Sequence, residues 1–203
     1  MNEIILNALS NASGLLNSFV ADKANIAEIE RIARQLAEVY ERRGKLIVFG
    51  NGGSMCDAMH FAEELSGRFH HDRPALPAIA VSDPGYLSCV ANDYGYGQVF
   101  ARAVEAYAQE GDMVVGISTS GNSENVIKGL ERAAGLNCFT CALLGKDGGK
   151  LKGRTDFQIV VPSDDTARIQ EIHGMLIHIL IELVEKLLFS PDTQYLQDAP
   201  ARC

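Results

Sequence analysis

The stretches 45–53, KLIVFGNGG, and 113–123, MVVGISTSGNS, decide how this chain folds. Each runs from a short apolar segment into a turn of small polar residues, and a helical pattern follows each turn. Strand, polar turn and helix N-terminus together form an anion site, because the first N–H groups of a helix lack intrahelical partners and the helix dipole favours negative charge there. The second turn adds four hydroxyl groups, those of Ser118, Thr119, Ser120 and Ser123. We therefore expect a phosphorylated small molecule to bind at this turn.

The alternation of strand and helix continues along the chain. Short apolar runs are found at 45–49, 77–81, 113–117, 138–144 and 157–161. Helical patterns lie between most of them, at about 54–67, 98–109 and 123–135. Apolar strands that alternate with helices predict an α/β fold, with a parallel sheet covered by helices on both faces. Ligands of such sheets bind beyond the carboxyl ends of the strands, where both polar turns lie.

Three further helices are predicted near the two ends of the chain. Residues 1–20 and 24–43 form two of them, and a third starts near Asp165 and continues to about Leu188. The group Asp164-Asp165-Thr166 is expected to cap the third helix. The third helix is apolar over much of its circumference, so it must be buried in the core or between subunits. We expect a single domain, 1–203, with the helices of 1–43 in an oligomer interface and a loose tail at 190–203.

The charge and composition of the chain exclude several classes of function. The net charge is -8, from 18 basic and 26 acidic residues. Because nucleic-acid binding depends on neutralising phosphates with basic side chains, this charge disfavours a nucleic-acid partner. No basic start precedes a long apolar run, and no stretch approaches about 20 uninterrupted apolar residues, so we expect neither a signal peptide nor a membrane span.

The five cysteines are an odd, scattered set, which indicates free thiols in a reducing compartment. Two of them, Cys138 and Cys141, form a CxxC motif inside a predicted strand. Positions three apart on a strand face opposite sides, so we expect two buried thiols here and no redox or metal site.

The first turn, 50–54, is rich in glycine, which lets the backbone approach a ligand closely. It is not a P-loop, because no Gly-Lys-Ser/Thr follows. It only half matches a dinucleotide fingerprint, since Met55 takes the third glycine position. The alternative is a tight strand-to-helix turn that binds nothing.

On the helix after this turn, His60 and Glu64 stand four residues apart. That spacing places both side chains on one face, with about 6 Å between their Cβ atoms, while Glu63 points about 100° away around the helix. A histidine and a carboxylate in this arrangement suit a divalent metal ion or an acid–base pair. A simple surface contact is the alternative.

The last helix carries a second group of candidates: Gln170, Glu171, His173 and His178. At about 100° per residue, Gln170 and His178 are about 80° apart around the helix, and the two histidines about 140° apart. The histidines are therefore not expected to share one site, and Gln170 can join either. Periodicity does not choose between them, and His178, which lies among apolar residues, also fits a hydrogen-bonded core histidine.

A polar segment, CVANDYGYG, lies between apolar stretches and contains Asn92 and Asp93. We expect a loop here. Its polar pair can contact sugar hydroxyls or simply form a turn.

Several segments together resemble the SIS-domain (sugar isomerase) family. They are GNGGS at 50–54, DAMHFAEELSGRF at 57–69, ANDYGYG at 91–97, GISTSGNSENVI at 116–127, GKDGG at 145–149, and VPSDDTARIQEIH at 161–173 with IH at 177–178. The resemblance covers about residues 1–189, with its motifs in order and at the right spacing. Within this family the chain is similar to the enzymes that isomerise D-sedoheptulose 7-phosphate.

The resemblance implies a flavodoxin-like three-layer sandwich with a five-stranded parallel sheet, and a cytoplasmic homotetramer with active sites at subunit interfaces. It implies conversion of D-sedoheptulose 7-phosphate to D-glycero-D-manno-heptose 7-phosphate through an enediol(ate), as the first step of ADP-heptose biosynthesis for the lipopolysaccharide core. The resemblance also assigns a phosphate site to Ser118, Thr119, Ser120 and Ser123, and contacts with the sugar to Asn51, Gly52, Gly53, Ser54, Glu64, Asn92, Asp93 and Gln170.

Family members that bind zinc do so through residues matching His60, Glu64, Gln170 and His178, so the resemblance favours His178 over His173. In an aldose–ketose isomerisation, Glu64 would be the base and His178 its acid–base partner. Zinc would polarise the carbonyl. A carboxylate bound tightly to zinc is a weak base, so either the metal shifts or Glu64 uses its second oxygen.

Two other functions remain open from the sequence. One is a non-catalytic SIS-domain protein that binds a phosphosugar or a replication initiator, although such relatives lack the paired Glu and His. The other is isomerisation of a different ketose phosphate, which a comparison of substrate lengths would distinguish.

Overall fold

The computed structural model describes residues 1–190, and the predicted tail lies outside them apart from Ser190. Its centre is a five-stranded sheet in the order β2-β1-β3-β4-β5, with every neighbouring pair parallel. The strands are β1 (Leu46–Gly50), β2 (Ala78–Ala80), β3 (Met113–Ser118), β4 (Phe139–Gly145) and β5 (Phe157–Val161). The predicted α/β fold with a five-stranded parallel sheet is confirmed.

Seven α-helices cover the two faces of this sheet within residues 1–190. They are α1 (Asn2–Ala21), α2 (Lys23–Glu41), α3 (Gly53–Ser66), α4 (Pro84–Tyr94), α5 (Val99–Tyr107), α6 (Glu124–Ala134) and α7 (Thr166–Phe189). Buried residues of α2, α3 and α7 form the core on one face, and those of α4, α5 and α6 form the core on the other. The three layers of the predicted sandwich are therefore present.

Side chains alternate between the two cores along each strand. Leu46 and Val48 enter the α2/α3/α7 core, whereas Ile47 and Phe49 enter the opposite one. Both faces of the strand are buried, which explains why the strands are continuous apolar runs in the sequence.

The two cysteines of the CxxC motif lie on opposite faces of the sheet, as predicted. Burial raises the pKa of the Cys138 thiol to about 11 and raises that of Cys141 further. Both are free thiols, and their protonated state makes them unreactive as nucleophiles.

The sheet order places the two polar turns side by side. The chain leaves β1 toward β2 on one side and later returns to β3 on the other, so the strand order switches between β1 and β3. Gly50 at the end of β1 pairs with Ile117 near the end of β3. A crevice at such a switch point is where ligands of open parallel sheets bind.

The segment around Asn92 and Asp93 differs from the prediction of a loop. Both residues lie in the last turns of α4. The helix begins because Asp83 accepts a hydrogen bond from the Tyr86 N–H at 2.6 Å and Pro84 occupies the first turn, where no N–H is required. At α7 the predicted cap is confirmed, since Asp165 accepts from the Ala167 N–H at 2.9 Å.

Helix α1 is the one helix within residues 1–190 that is long and apolar enough, by length and composition alone, to cross a membrane. Polar residues interrupt it, and Arg168 of α7 donates a 2.7 Å hydrogen bond to the Ala8 carbonyl. Its apolar side chains are nevertheless mostly exposed on this single chain: Ile4, Ile5, Leu6 and Leu9.

Candidate active site

The first polar turn connects β1 to α3. Gly52 has φ +56°, a left-handed conformation that side chains disfavour, and it directly precedes the first turn of α3. Asn51 and Asn125 of α6 exchange two amide hydrogen bonds of 2.9 Å, and the Tyr96 hydroxyl donates a third to Asn51 at 3.0 Å. Asn51 Oδ1 thus accepts two hydrogen bonds, which leaves one Nδ2–H of Asn51 to meet a ligand.

The second polar turn connects β3 to α6. The Ser118 and Ser123 hydroxyl oxygens lie 3.2 Å apart, and Ser120 Oγ accepts a 3.2 Å hydrogen bond from the Asn122 N–H. Ser123 is the N-cap residue of α6 but makes no side-chain capping bond. The first turn of α6 and these hydroxyls therefore keep donors for an anion.

The GKDGG segment, 145–149, supports the second turn from β4. A Cβ on Gly121, which has φ +61°, would overlap the Gly148 carbonyl, so the two backbones touch. The Leu151 N–H also donates to the Gly121 carbonyl at 3.1 Å. This packing fixes the shape of the hydroxyl-rich turn.

Three side chains converge between α3 and α7. His60 Nε2 lies 3.1 Å from Glu64 Oε1 and 3.3 Å from His178 Nε2, and His178 Nε2 lies 3.9 Å from Glu64 Oε2. One donor atom from each residue lies within 4.8 Å of the other two. We call this set the His60–Glu64–His178 triad.

The triad fits a divalent metal ion. Two ligands about 2.1 Å from a tetrahedral zinc ion lie about 3.3–3.4 Å apart, close to the separations of His60 Nε2 from its two partners. Glu64 Oε2 is buried and finds no hydrogen-bond partner within residues 1–190. A buried carboxylate oxygen without a partner is costly, and a cation would satisfy it.

Comparisons with known proteins agree with this geometry. A model of the SIS domain family matches residues 9–145. This chain belongs to the SIS-domain family.

Two relatives of this SIS-domain protein and one similar solved structure are named phosphoheptose isomerase. Phosphoheptose isomerase from Fusobacterium nucleatum is 53% identical over 86% of this chain and 90% of its own length. The Vibrio vulnificus phosphoheptose isomerase is 52% identical over 91% and 97%. The structure of phosphoheptose isomerase GmhA from Neisseria gonorrhoeae superimposes with a TM-score of 0.84 at 35% identity, over 91% of this chain and 98% of that one.

In this SIS domain the two histidines of α7 have different environments. His173 is fully buried, and its Nε2 lies 3.0 Å from the Leu144 carbonyl, to which it donates. Burial lowers the pKa of His173 to about 4, so the ring is neutral. His178 is about half exposed and faces His60. The core environment that the sequence allowed for His178 belongs to His173.

Gln170 belongs to α7, and its side chain packs against the first turn of α3. Its amide packs over Gly53 so closely that a Cβ on Gly53 would overlap Nε2 and lie 3.0 Å from Oε1. The side chain thus occupies the mouth of the first polar turn.

Ser54 is buried in the first turn of α3, beneath the first polar turn. Asn92 and Asp93 are exposed, and the Asn92 amide donates to the Asp93 carboxylate at 2.7 Å. This contact leaves the second Asp93 oxygen, Oδ2, facing the Cys89 thiol at 3.9 Å.

Sequence analysis missed Asp57 of the SIS domain. It lies one turn before His60 on α3, on the face shared with Glu64. Its Oδ2 is buried and has no partner within residues 1–190, and burial raises the pKa of this carboxyl, against an opposing effect of His60. The spacing of Asp57, His60 and Glu64, at i, i+3 and i+7, was the signal that could have found it.

Proposed function

We propose that this protein isomerises D-sedoheptulose 7-phosphate to D-glycero-D-manno-heptose 7-phosphate, the entry to ADP-heptose and the lipopolysaccharide core. The observation that carries the proposal is the convergence of Glu64 and His178 in a chain whose hydroxyl-rich anion turn lies at the β1/β3 switch point. More than half of the residues aligned with two phosphoheptose isomerases are identical in this chain, which supports the same assignment.

The phosphate end of the substrate is assigned to the second polar turn. Ser118, Thr119, Ser120 and Ser123 surround the start of α6, whose N–H groups and dipole favour a phosphate dianion. A net charge of -8 repels an anion over the whole surface, so these local donors must carry phosphate recognition. The sugar chain then extends toward the first turn, where Asn51, Gly52, Gly53 and Ser54 would contact its hydroxyls, with Gln170, Asn92 and Asp93 beside them.

Proton transfer is assigned to Glu64 and His178. Isomerisation of a ketose requires a base that takes a proton from the carbon beside the carbonyl and returns it to the neighbouring carbon. Glu64 Oε1 lies 3.1 Å from His60 Nε2, and Oε2 lies 3.9 Å from His178 Nε2 without a hydrogen-bond partner within residues 1–190. With one of these oxygens on the metal ion, the other would serve as the base. His178 would exchange protons with the substrate oxygens. Asp57 is a further carboxyl on the face of α3 that carries His60 and Glu64.

We propose zinc as the metal of the triad, held by His60, Glu64 and His178, with Gln170 as the fourth ligand that the resemblance implies. In this chain the Gln170 amide packs on Gly53, seven residues before His60 on α3. Imidazole and carboxylate ligands suit zinc, whereas a neutral amide is an uncommon ligand. When bound, the ion would polarise the substrate carbonyl as a Lewis acid. The residues of the chain must still orient the substrate and move its protons.

We also propose a cytoplasmic homotetramer in which the helices of 1–43 lie between subunits. A row of exposed apolar side chains on α1 supports this assignment, because such a surface is rarely left open to water. It accounts for the hydropathy of α1 without a membrane. A cytoplasmic location fits the free thiols at positions 56, 89, 138 and 141.

The direct test is to incubate the purified protein with sedoheptulose 7-phosphate and follow formation of the aldose phosphate, with hexose and pentose ketose phosphates as controls. Turnover of the heptose phosphate alone supports the proposal. Turnover of a shorter ketose phosphate in preference would reassign the substrate. Binding of the heptose phosphate without turnover would instead indicate a non-catalytic phosphosugar-binding protein.

A further inference from the structure

Two helices supply the triad, so the distance between them sets the distance between its donor atoms. His60 and Glu64 lie on α3, and His178 lies on α7. Glu64 is in the last turn of α3, which ends at Ser66. The last carbonyls of a helix have no intrahelical partners, so this turn needs support from elsewhere to stay in place.

Arg73 gives that support from the segment between α3 and β2. Its guanidinium donates to the Glu64 carbonyl at 2.7 Å through Nη2 and to the Leu65 carbonyl at 2.7 Å through Nη1. Only 3% of its side chain is exposed. A buried cation at this end also interacts favourably with the dipole of α3.

The same guanidinium is bonded to α7. Arg73 Nε donates to Glu185 Oε1 at 2.8 Å, and 7% of the Glu185 side chain is exposed. Glu185 lies two turns beyond His178 on α7, so both residues are on the same side of the helix. One planar side chain therefore links the backbone of Glu64 to the helix that carries His178.

The segment that Arg73 anchors also contacts His178 directly. Phe69 lies in it, and its ring is stacked on His178, with 5.8 Å between centroids and 14° between planes. The segment between α3 and β2 therefore contacts the triad at two residues, at Glu64 through Arg73 and at His178 through Phe69.

We propose that Arg73 is a positioning residue that holds Glu64 and His178 at the separation at which the triad works. The inference rests on the proposed metal-assisted isomerase. Arginine is required because its fork of five N–H donors reaches two carbonyls and a carboxylate at once, whereas a lysine ammonium does not match that geometry.

The test compares Arg73→Lys with Lys45→Met. Lys45 forms a second largely buried ion pair, with Asp112 at 2.6 Å, and is not part of the triad. Zinc affinity is measured by competition with a chromophoric chelator, the visible spectrum is recorded with Co²⁺ in place of zinc, and Tm is measured without metal. The double variant Arg73→Met/Glu185→Met replaces the pair with apolar side chains, so that neither charge is left buried alone.

We expect Arg73→Lys and the double variant to bind zinc about 10–100-fold more weakly, which is the usual loss when a group that orients metal ligands is removed. The visible spectrum of bound Co²⁺ should also change in both variants. Lys45→Met should lower Tm and leave the affinity unchanged. Equal losses of Tm with unchanged affinity in all variants would overturn the proposal.

Zinc binding and turnover of the wild-type protein, measured together, separate this inference from the proposed function. Wild-type protein that turns over without binding zinc would refute the metal site alone. In that protein, a kcat at least tenfold lower in Arg73→Lys at unchanged KM supports the role of Arg73, and an unchanged kcat overturns it.

Discussion

The Nε2 atoms of His60 and His178 lie 3.3 Å apart although 118 residues separate them in the chain. Their rings meet edge to face, at 82° between planes. Two ring nitrogens can be this close when one donates to the other, or when both direct their lone pairs at a shared cation. Because Glu64 completes the same cluster, this contact would connect the proposed metal ion and the proposed acid–base chemistry of the site.

Replacing Glu64 by Gln should lower kcat by about 10²–10⁴-fold, the usual contribution of a positioned acid–base group. The amide keeps the shape of the side chain but cannot take the proton. Steady-state kinetics and a separate measurement of substrate binding give the two quantities. Glu63→Gln is the matched control, since Glu63 is exposed and points away from His178. An active Glu64→Gln enzyme would refute the assignment of the base.

Removing metal with a chelator should reduce turnover, and adding zinc should restore it. The reason is that the triad offers two imidazole nitrogens and a carboxylate to one ion. His60→Gln should bind zinc more weakly in a chelator competition, whereas His71→Gln, at an exposed histidine outside the triad, should not. Full activity in protein shown to be metal-free would make the ion dispensable.

Ser120→Ala should raise KM with kcat nearly unchanged. The hydroxyl accepts from Asn122 and keeps its own hydrogen to donate, and a hydrogen bond to a charged group contributes about 1.5–3 kcal/mol, or about 10–100-fold in affinity. A contact made equally in the ground and transition states changes KM alone. Ser66→Ala, at the far end of α3, is the control. An unaltered KM in Ser120→Ala would remove this hydroxyl from the phosphate site.

Stability should decline in mildly acid solution because of His173. Its pKa falls from 6.5 to about 4 in the folded protein, so the unfolded chain binds the extra proton first as the pH is lowered. The stabilisation is complete above pH 6.5 and is lost as the pH falls toward 4, at up to about 1.4 kcal/mol per pH unit. Denaturant unfolding of metal-free protein at pH 5 and pH 7 measures the effect.

The control is His173→Gln, which keeps an N–H donor for the Leu144 carbonyl without a group that titrates in this range. Carboxylates contribute to the pH dependence of both proteins, so the difference between them isolates His173. Identical pH dependence in the two proteins would contradict the assignment.

Leu9→Glu should dissociate the proposed homotetramer. Leu9 is 64% exposed on α1, and placing a carboxylate inside an apolar interface leaves a charge without water or a partner. Light scattering after size exclusion gives the mass. Ser10→Glu, one residue along and exposed, is the control. An unchanged mass in Leu9→Glu would exclude this part of α1 from the interface.

The predicted strands agree with the observed ones to within one or two residues, because each is apolar on both faces and bounded by turn residues. Helix α4 lies where the sequence predicts a loop around Asn92 and Asp93. Its cap residues Asp83 and Pro84 are also typical of turns, and only the packing of Val90 against α5 and α6 favours the helix.

The sequence by itself determined the parallel sheet, the two anion-type turns and the pairing of His60 with Glu64, because strand alternation and helical spacing act between residues that are close in the chain. Helical periodicity did not decide which histidine of α7 joins them; the resemblance favoured His178, and only the tertiary structure shows why. His178 has the more apolar neighbours in sequence, yet the packing of α7 buries His173 against Leu144 and turns His178 toward α3. Arg73 also needed the tertiary structure, since its partners Glu64, Leu65 and Glu185 are brought together only when α3 and α7 pack.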